Sequence, residues 1–525
     1  MIKSLLLAVT IVANSPGYYT SLANHIKRWL AGEKISSQVV TLQQMPTAIA
    51  SEKTVFLVGV DAVSAAQLNA LKALKLRGGK MIVFHSSSAQ LASLMGVKCT
   101  SFKTAPSPGW WSRMDFSTSR PAGFPISIRQ TSSVLNAAVP LAGGRILATW
   151  SNRNGKSTGD AAWIETNCGW WMTHVLTADG DERLKAQLVS AMVGASEPSK
   201  WSVSASLARR DIRRAELKRH ALAQSPVKGE IRAVWDHSGC GLYPGDWPRT
   251  MRLLKNAGVT DIFVNVAGAG FAHYPSQVLP RSKTFADEGD QLKKCINAAK
   301  GTGVRVHAWV LCFNATRAAP SVLADYKAKG WCLKSTSGKL TEYLDPSKKA
   351  VRDKILLAID EIISLYSVDG VHLDFVRWYE GSKKPADAVK TISDFVLSAR
   401  RRVKRPCWLT TAVLGKYPAC VSSVGQDWTS WIDANYVDYV VPMDYTENLV
   451  RFSSYLLQHA SSRSRARRTI VGIGVTANES RLDAKQVIDQ INASRKFGTA
   501  GVALFDLDAV LEKEILPYLA IGIWK

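Results

Sequence analysis

Asp369-Gly370-Val371-His372-Leu373-Asp374-Phe375-Val376-Arg377-Trp378 follows an amphipathic stretch, Val351 to Tyr366, and a turn at Ser367 to Gly370. Side chains alternate along a strand, so His372 and Asp374 share one face while Val371, Leu373 and Phe375 share the other. A short buried strand with an apolar face and a polar C-terminal tip is how a parallel β/α barrel presents reactive groups. Taken alone, an Asp at a strand end is more simply the cap of the next helix. The surrounding chain has to decide between these roles.

From Glu230 onward the pattern repeats. Eight apolar runs predict strands at Ile231 to Trp235, Asp261 to Val266, Arg305 to Leu311, Gly370 to Phe375, Cys407 to Val413, Tyr436 to Met443, Thr469 to Val475 and Gly501 to Phe505. Helical periodicities separate them, as at Pro248 to Ala257, Asp290 to Thr302 and Ala484 to Phe497. Eight such units in residues 230–525 suit one (β/α)8 TIM barrel. The longest insertion, Cys312 to Ala350, follows strand three on the face where such barrels keep their sites.

Residues 1–198 alternate shorter strands with helices and predict an open, mostly parallel α/β sheet. Strands are expected at Leu6 to Ala13, Ser37 to Leu42, Thr54 to Val58, Lys80 to Phe84, Arg145 to Trp150, Ala161 to Thr166 and Gly169 to Thr173. This stretch resembles the glutamine-amidotransferase-like (flavodoxin-like) fold. In active members a cysteine sits on a sharp turn after a central strand. The matching place here, after Met81-Ile82-Val83-Phe84, is His85-Ser86-Ser87-Ser88, so the resemblance implies a domain without that nucleophile. His174 follows a late strand, and Cys99 and Cys168 lie elsewhere. A binding or scaffolding role is expected. Residues 199–229 are charge-rich and end in Ser225-Pro226-Val227-Lys228-Gly229, which marks a basic helical linker.

The C-terminal tips of the barrel strands form one rim. They supply Asp236, Asn265, His307 with Trp309, His372 with Asp374, Arg377 and Trp378, Asp444 with Tyr445 and Glu447, Glu479, and Asp506 with Asp508. Carboxylates, imidazoles, amides and indoles on one rim are the groups needed to bind a polyhydroxylated ligand and cleave an acetal. For Asp236, Glu479 and Asp508 helix capping is the simpler role. Asp374 and Asp444 each end an apolar strand and precede an aromatic, so they are the catalytic candidates, with Glu447 as the substitute acid/base. Asn265, His307 and Tyr445 would bind sugar hydroxyls, Trp309 and Trp378 would stack on sugar rings, and Asp236, His372, Arg377 and Asp506 complete the substrate-binding set.

Four segments carry a more specific resemblance: Arg232-Ala233-Val234-Trp235, Tyr274-Pro275-Ser276-Gln277-Val278-Leu279-Pro280, Val306-His307-Ala308-Trp309, and Leu344-Asp345-Pro346 leading into Asp369 to Phe375. Over roughly residues 230–510 the chain resembles the glycosyl hydrolase-like family ten barrels. Similar families, such as the α-amylase and α-galactosidase barrels, place a nucleophilic Asp at the end of strand four, which implies that role for Asp374. The chain departs from the family in having Phe375 where a second Asp is common, and in Met443-Asp444-Tyr445, which echoes chitinase-like barrels. Strand five, Leu409-Thr410-Thr411-Ala412-Val413, offers no acid.

Composition bounds these expectations. Hydrophobic residues make up 46% and charged residues 21%, which fits folded domains rather than disorder. The net charge of +25 is clumped at Arg209 to Arg219, Arg400 to Arg405 and Arg463 to Arg468. No nucleic-acid motif accompanies it, so a solvated basic face is expected, compatible with an acidic polysaccharide or an anionic surface. The expected partner is a carbohydrate, acidic ones included. The rival is a barrel that binds carbohydrate or polyanions without cleaving them. The eight cysteines show no CxxC and no cluster with histidine, so neither a metal nor a cofactor is expected. Met1-Ile2-Lys3 and the short apolar run Ser4 to Ala13 fit either an export signal or a first strand, and the strand is favoured. No stretch has transmembrane length.

Overall fold

The computed structural model describes residues 9–14, 17–106, 109–152, 155–177 and 181–525. The chain divides into two compact units, one ending at Arg213 and one running from Arg214 to Lys525. The division falls inside a single helix, Val203–Leu222, in the stretch expected to be a linker.

The first unit is built on a nine-stranded sheet. Five strands are parallel: Ser37–Thr41, Val9–Ala13, Thr54–Val58, Lys80–Phe84 and Gly169–Met172, in that spatial order. The last five residues of the expected Leu6 to Ala13 strand form Val9–Ala13, which is fully buried, while residues 6–8 lie outside the described residues. Beyond Gly169–Met172 the sheet turns antiparallel through Ser157–Thr166, Arg145–Ser151, Trp111–Phe116 and Ser127–Ser132. The sheet is therefore mixed, which corrects the expectation of a mostly parallel one. The two outermost strands were not anticipated because half-buried antiparallel strands alternate in polarity and carry no continuous apolar run. The sharp turn after Lys80–Phe84 is present, with His85 at φ 48°.

The second unit is a closed parallel barrel. Its strands are Ile231–Asp236, Asp261–Gly268, Arg305–Leu311, Gly370–Asp374, Trp408–Leu414, Tyr439–Met443, Ile470–Gly474 and Gly501–Phe505, called strands one to eight below. Each pairs with the next, and strand eight pairs back to strand one. Because helices cover the outside, these strands are apolar on both faces and nearly all buried. The inward set includes Ala233, Trp235, Phe263, Trp309, Leu311, Ala412, Val441 and Ala503. The outward set packs beneath the helices, as with Val234, Val264, Val371, Leu373 and Val440.

Polar groups close the barrel floor at the N-terminal strand ends. Asp261 accepts from Arg305 Nε and Nη2, both at 2.8 Å, and lies 2.8 Å from His307 Nε2. Burial alone would raise the Asp261 pKa, but His307 and Arg305 outweigh it and hold it at about 2. Among the described residues no helix is long and apolar enough to cross a membrane.

Candidate functional site

Asp374 ends strand four on the inward face, as the alternation His372, Asp374 requires. It is 5% exposed. Its Oδ2 accepts the Trp309 indole N–H at 3.2 Å, and its Oδ1 accepts the Phe375 backbone N–H at 2.6 Å. Burial raises its pKa, and Arg377, the Phe375 N–H and the Trp309 N–H offset this only in part. Burial thus outweighs the nearby Arg377 cation, and the Asp374 carboxyl sits above its ordinary value. Phe375 follows with φ 52°, a left-handed conformation that costs an L-residue about 1–2 kcal/mol. The turn is pinned by Cys312 N–H donating to the Asp374 carbonyl and by the Tyr343 ring stacked on Phe375.

Asp444 follows strand six with the opposite parity. Val441 points inward, so Met443 and Tyr445 face the mouth while Asp444 turns to the helix layer, with no exposure. There His459, the last residue of helix Leu449–His459, faces it with Nδ1 3.2 Å from Oδ2, close for an ion pair though out of line for a hydrogen bond. The other ring nitrogen, Nε2, donates to the Gly415 carbonyl at 2.9 Å, since a carbonyl can only accept. Burial raises the Asp444 pKa. It would lower that of His459, but Asp444 and the Gly415 carbonyl reverse that shift. A side chain at Gly415 would run into Asp444 Oδ1, so this wall of the mouth requires glycine.

The remaining expected residues sort by depth. His307 belongs to the floor described above. His372 lies in the middle layer, stacked on Phe263 with ring centroids 4.1 Å apart. The Trp235 indole N–H donates to His372 Nε2 at 3.0 Å, so Nδ1 carries the proton and faces Thr410 Oγ1 at 2.8 Å. Burial and His307 hold its pKa well below the ordinary value. Neither imidazole reaches the mouth. Asn265 is fully buried, with Nδ2 donating to the His237 carbonyl at 3.3 Å and Oδ1 unmatched. Asp236 accepts from the Ser238 hydroxyl and from the backbone N–H groups of Ser238 and Gly241, as an organiser of its loop. Trp309 and Trp378 are 3% and 1% exposed, so neither offers a free face for stacking. Glu447 is exposed and accepts the Arg481 N–H at 2.9 Å, and Asp506 accepts from Thr476 Oγ1 at 3.0 Å.

A cleft of about 730 Å³ opens at the C-terminal ends of strands four to seven. Its walls include Arg377, Glu380, Lys384, Lys416, Tyr445 and Glu479. Tyr445 stacks on Phe505 with centroids 5.5 Å apart. Burial, then the charges of Asp374 and Glu479, raise its pKa well above the ordinary value, so it remains a hydroxyl donor. A narrower slot of about 150 Å³ adjoins the cleft at Arg377 and Glu380. Tyr343 and Tyr379 line it in parallel, 4.2 Å apart, and Arg377 lies 4.4 Å above the Phe375 ring.

Tyr343, Tyr379, Lys384 and Lys416 carry no signal of their own in the sequence pattern, and Glu479, for which capping is the simpler role, lines the cleft instead. Tyr343 sits in the hairpin Cys332–Lys334 and Leu340–Leu344, whose position in the insertion after strand three was the available signal. His237, one residue past strand one, is exposed at the mouth with its ring 5.8 Å from Trp309. Among the described residues no group of three or more His, Cys, Asp or Glu is arranged to hold a metal.

The model of the family described as Glycosyl hydrolase-like 10 matches residues 230–394. The match takes in strands one to four, including Asp374 and the hairpin. Glycosyl hydrolase DigH of Escherichia coli (strain K12) is 30% identical over 141 residues, 23% of this chain and 31% of that protein. The DigH of Shigella flexneri aligns with the same figures. The chain thus spans about a third of the length of these curated relatives. Solved structures with some likeness include the Ostrinia furnacalis Group II chitinase catalytic domain 2, at 12% identity and a TM-score of 0.39, covering 56% of this chain and 95% of that one. Another is alpha-L-fucosidase isoenzyme 2 from Paenibacillus thiaminolyticus, at 11% identity and a TM-score of 0.38, covering 56% and 48%. A thua-like protein from Bacteroides uniformis is 10% identical with a TM-score of 0.29, covering 37% and 93%.

Proposed function

We propose that the barrel hydrolyses glycosidic bonds in an oligo- or polysaccharide, with Asp374 as the proton donor. The observation that carries this reading is the position of Asp374: an inward carboxyl at the end of strand four whose pKa is raised by burial, the direction a proton donor needs. Acetal cleavage needs one carboxyl that gives a proton to the leaving oxygen and a second that acts on the other side of the sugar. Glu479, exposed on the cleft wall, is the second group in this reading. Tyr445, whose hydroxyl senses the charges of both Asp374 and Glu479, would bind a sugar hydroxyl between them. Asp444, turned away from the mouth, would position the loop at Gly415 rather than meet substrate. The Tyr343 and Tyr379 slot takes the stacking role first expected of Trp309 and Trp378. Three cations, Arg377, Lys384 and Lys416, against two carboxylates, Glu380 and Glu479, favour a glycan that carries acidic groups.

One observation favours the rival reading, a barrel that binds glycans without cleaving them. Asp374 is 5% exposed, and Arg377 and Tyr445 rather than Asp374 line the cleft. A panel of neutral and acidic polysaccharides, assayed for new reducing ends, separates the two. Wild-type protein should release reducing ends from at least one of them. Asp374→Asn and Glu479→Gln should each lower that rate by about 10²–10⁴-fold, the usual worth of a general acid or base, with binding retained. Binding without turnover in the wild type would establish the rival. Full turnover by Asp374→Asn would remove Asp374 from the chemistry.

A further inference from the structure

Two of the three basic runs in the sequence, Arg400 to Arg405 and Arg463 to Arg468, meet in space although some sixty residues separate them. Arg405, Ser464 and Arg468 line one depression of about 410 Å³, together with Trp408, Asn435, Asp438 and Tyr439. Trp408 and Tyr439 are the first residues of strands five and six, so the depression lies at the N-terminal end of the barrel, opposite the cleft.

The depression lacks acceptors for its donors. Its carboxylate is already engaged by three donors: Asp438 Oδ2 accepts from Arg400 Nη1 at 2.6 Å and from the Leu409 N–H at 2.8 Å, and Oδ1 accepts from Arg405 Nε at 2.9 Å. Arg468 is committed to the carbonyls of Ile432, Val437 and Asp438 and to Asn435 Oδ1. The donors are in surplus. Both Nη atoms of Arg405, the amide nitrogen of Asn435 and the hydroxyls of Ser464 and Tyr439 have no acceptor among the described residues. Lys404, Arg463 and Arg467, each next in sequence to a lining residue, are exposed and form no ion pair among the described residues.

A depression with engaged acceptors and idle donors suits a ligand made of acceptors. A carboxylate brings two oxygens in one plane. A phosphate brings more, in three dimensions, and carries the charge that an open guanidinium fork recognises. We infer that this depression at the base of the barrel binds a phosphate group, with Arg405 as its fork and Tyr439, Ser464 and Asn435 as the remaining donors. The group would come from a soluble phosphate compound or from a phospholipid headgroup, and the exposed cations next in sequence would add attraction for either.

The test uses the full chain. Inorganic pyrophosphate is titrated calorimetrically into wild-type protein, Arg405→Ala and Tyr439→Phe, and the same proteins are sedimented with phosphatidylglycerol or phosphatidylcholine vesicles. Arg400 and the Leu409 N–H still satisfy Asp438 when Arg405 is removed, so both variants should melt close to wild type. Pyrophosphate binding that falls about tenfold or more in Arg405→Ala and several-fold in Tyr439→Phe supports the site with a soluble source. Binding confined to phosphatidylglycerol vesicles and lost in Arg405→Ala supports the headgroup source. The inference is overturned if neither probe binds at millimolar concentration, or if binding is the same in all three proteins. Asp374→Asn, at the other end of the barrel, should bind either probe as wild type does.

Discussion

Burial lifts the Asp374 carboxyl above the ordinary carboxylate range, and this has a cost in stability as well as a use in chemistry. A carboxyl whose pKa is higher in the folded than in the unfolded chain favours folding at low pH. That contribution is lost as pH rises past the unfolded value near 4. Asp374→Asn removes the ionisable group, so its melting temperature should equal or exceed that of wild type at pH 7. The difference should shrink as pH approaches 4, while catalysis is lost. Thermal melts of the two proteins across pH 4–8 check this. A variant that is several degrees less stable at pH 7 and equal at pH 4 would mean that an ionised Asp374 supports the fold. Asp261 has the opposite sign. Its pKa is held at about 2, so its contribution is full above pH 4 and disappears as pH falls towards 2. Asp261→Asn should cost about 2 kcal/mol at neutral pH, and in acid melts the gap to wild type should close.

At the scale of elements, the buried pair Asp444 and His459 ties three pieces together: the end of strand six, the end of helix Leu449–His459, and the loop carrying Gly415 after strand five. Removing one member leaves an uncompensated buried polar group, which typically costs about 3–5 kcal/mol, whereas replacing both with apolar residues is often near neutral. Asp444→Leu and His459→Leu should therefore each be strongly destabilised, and the double variant less so than the worse single variant. Denaturant unfolding of the three proteins measures the cycle. Additive losses would show that the two side chains are not coupled. The positions of all eight barrel strands were legible from their apolar runs, because parallel strands between helices are buried on both faces. That same property hid which alternate residues face the axis. Val440, Val441, Pro442 and Met443 are all apolar, so nothing in strand six itself says that Asp444 turns outward.

In the whole molecule, each unit has its own core. The first is built around Phe84, Trp150, Trp163 and Trp170, and the second around the barrel and its helices. Domains with separate cores unfold as separate cooperative units unless tightly coupled. Calorimetry should therefore give a total unfolding enthalpy well above the van't Hoff value, and a single two-state transition would refute independent units. The positive charge of +25 is likewise uneven. Part of it is neutralised by Asp438 and Asp433, and members of two runs, Arg405 and Arg468, meet at the base of the barrel.

The sequence by itself determined the order and number of the barrel strands and the placing of Asp374 at the end of the fourth, because burial on both faces and the turn that follows are local properties of the chain. Only the tertiary structure decided which residues of the rim share a space. It put His307 and His372 below the mouth, turned Asp444 behind it, and brought Glu479, Tyr343 and Tyr379 to it. Depth along the axis depends on how tilted neighbouring strands register against one another, and inward or outward parity on which face the closed sheet encloses. Both are properties of the closed sheet rather than of any one strand.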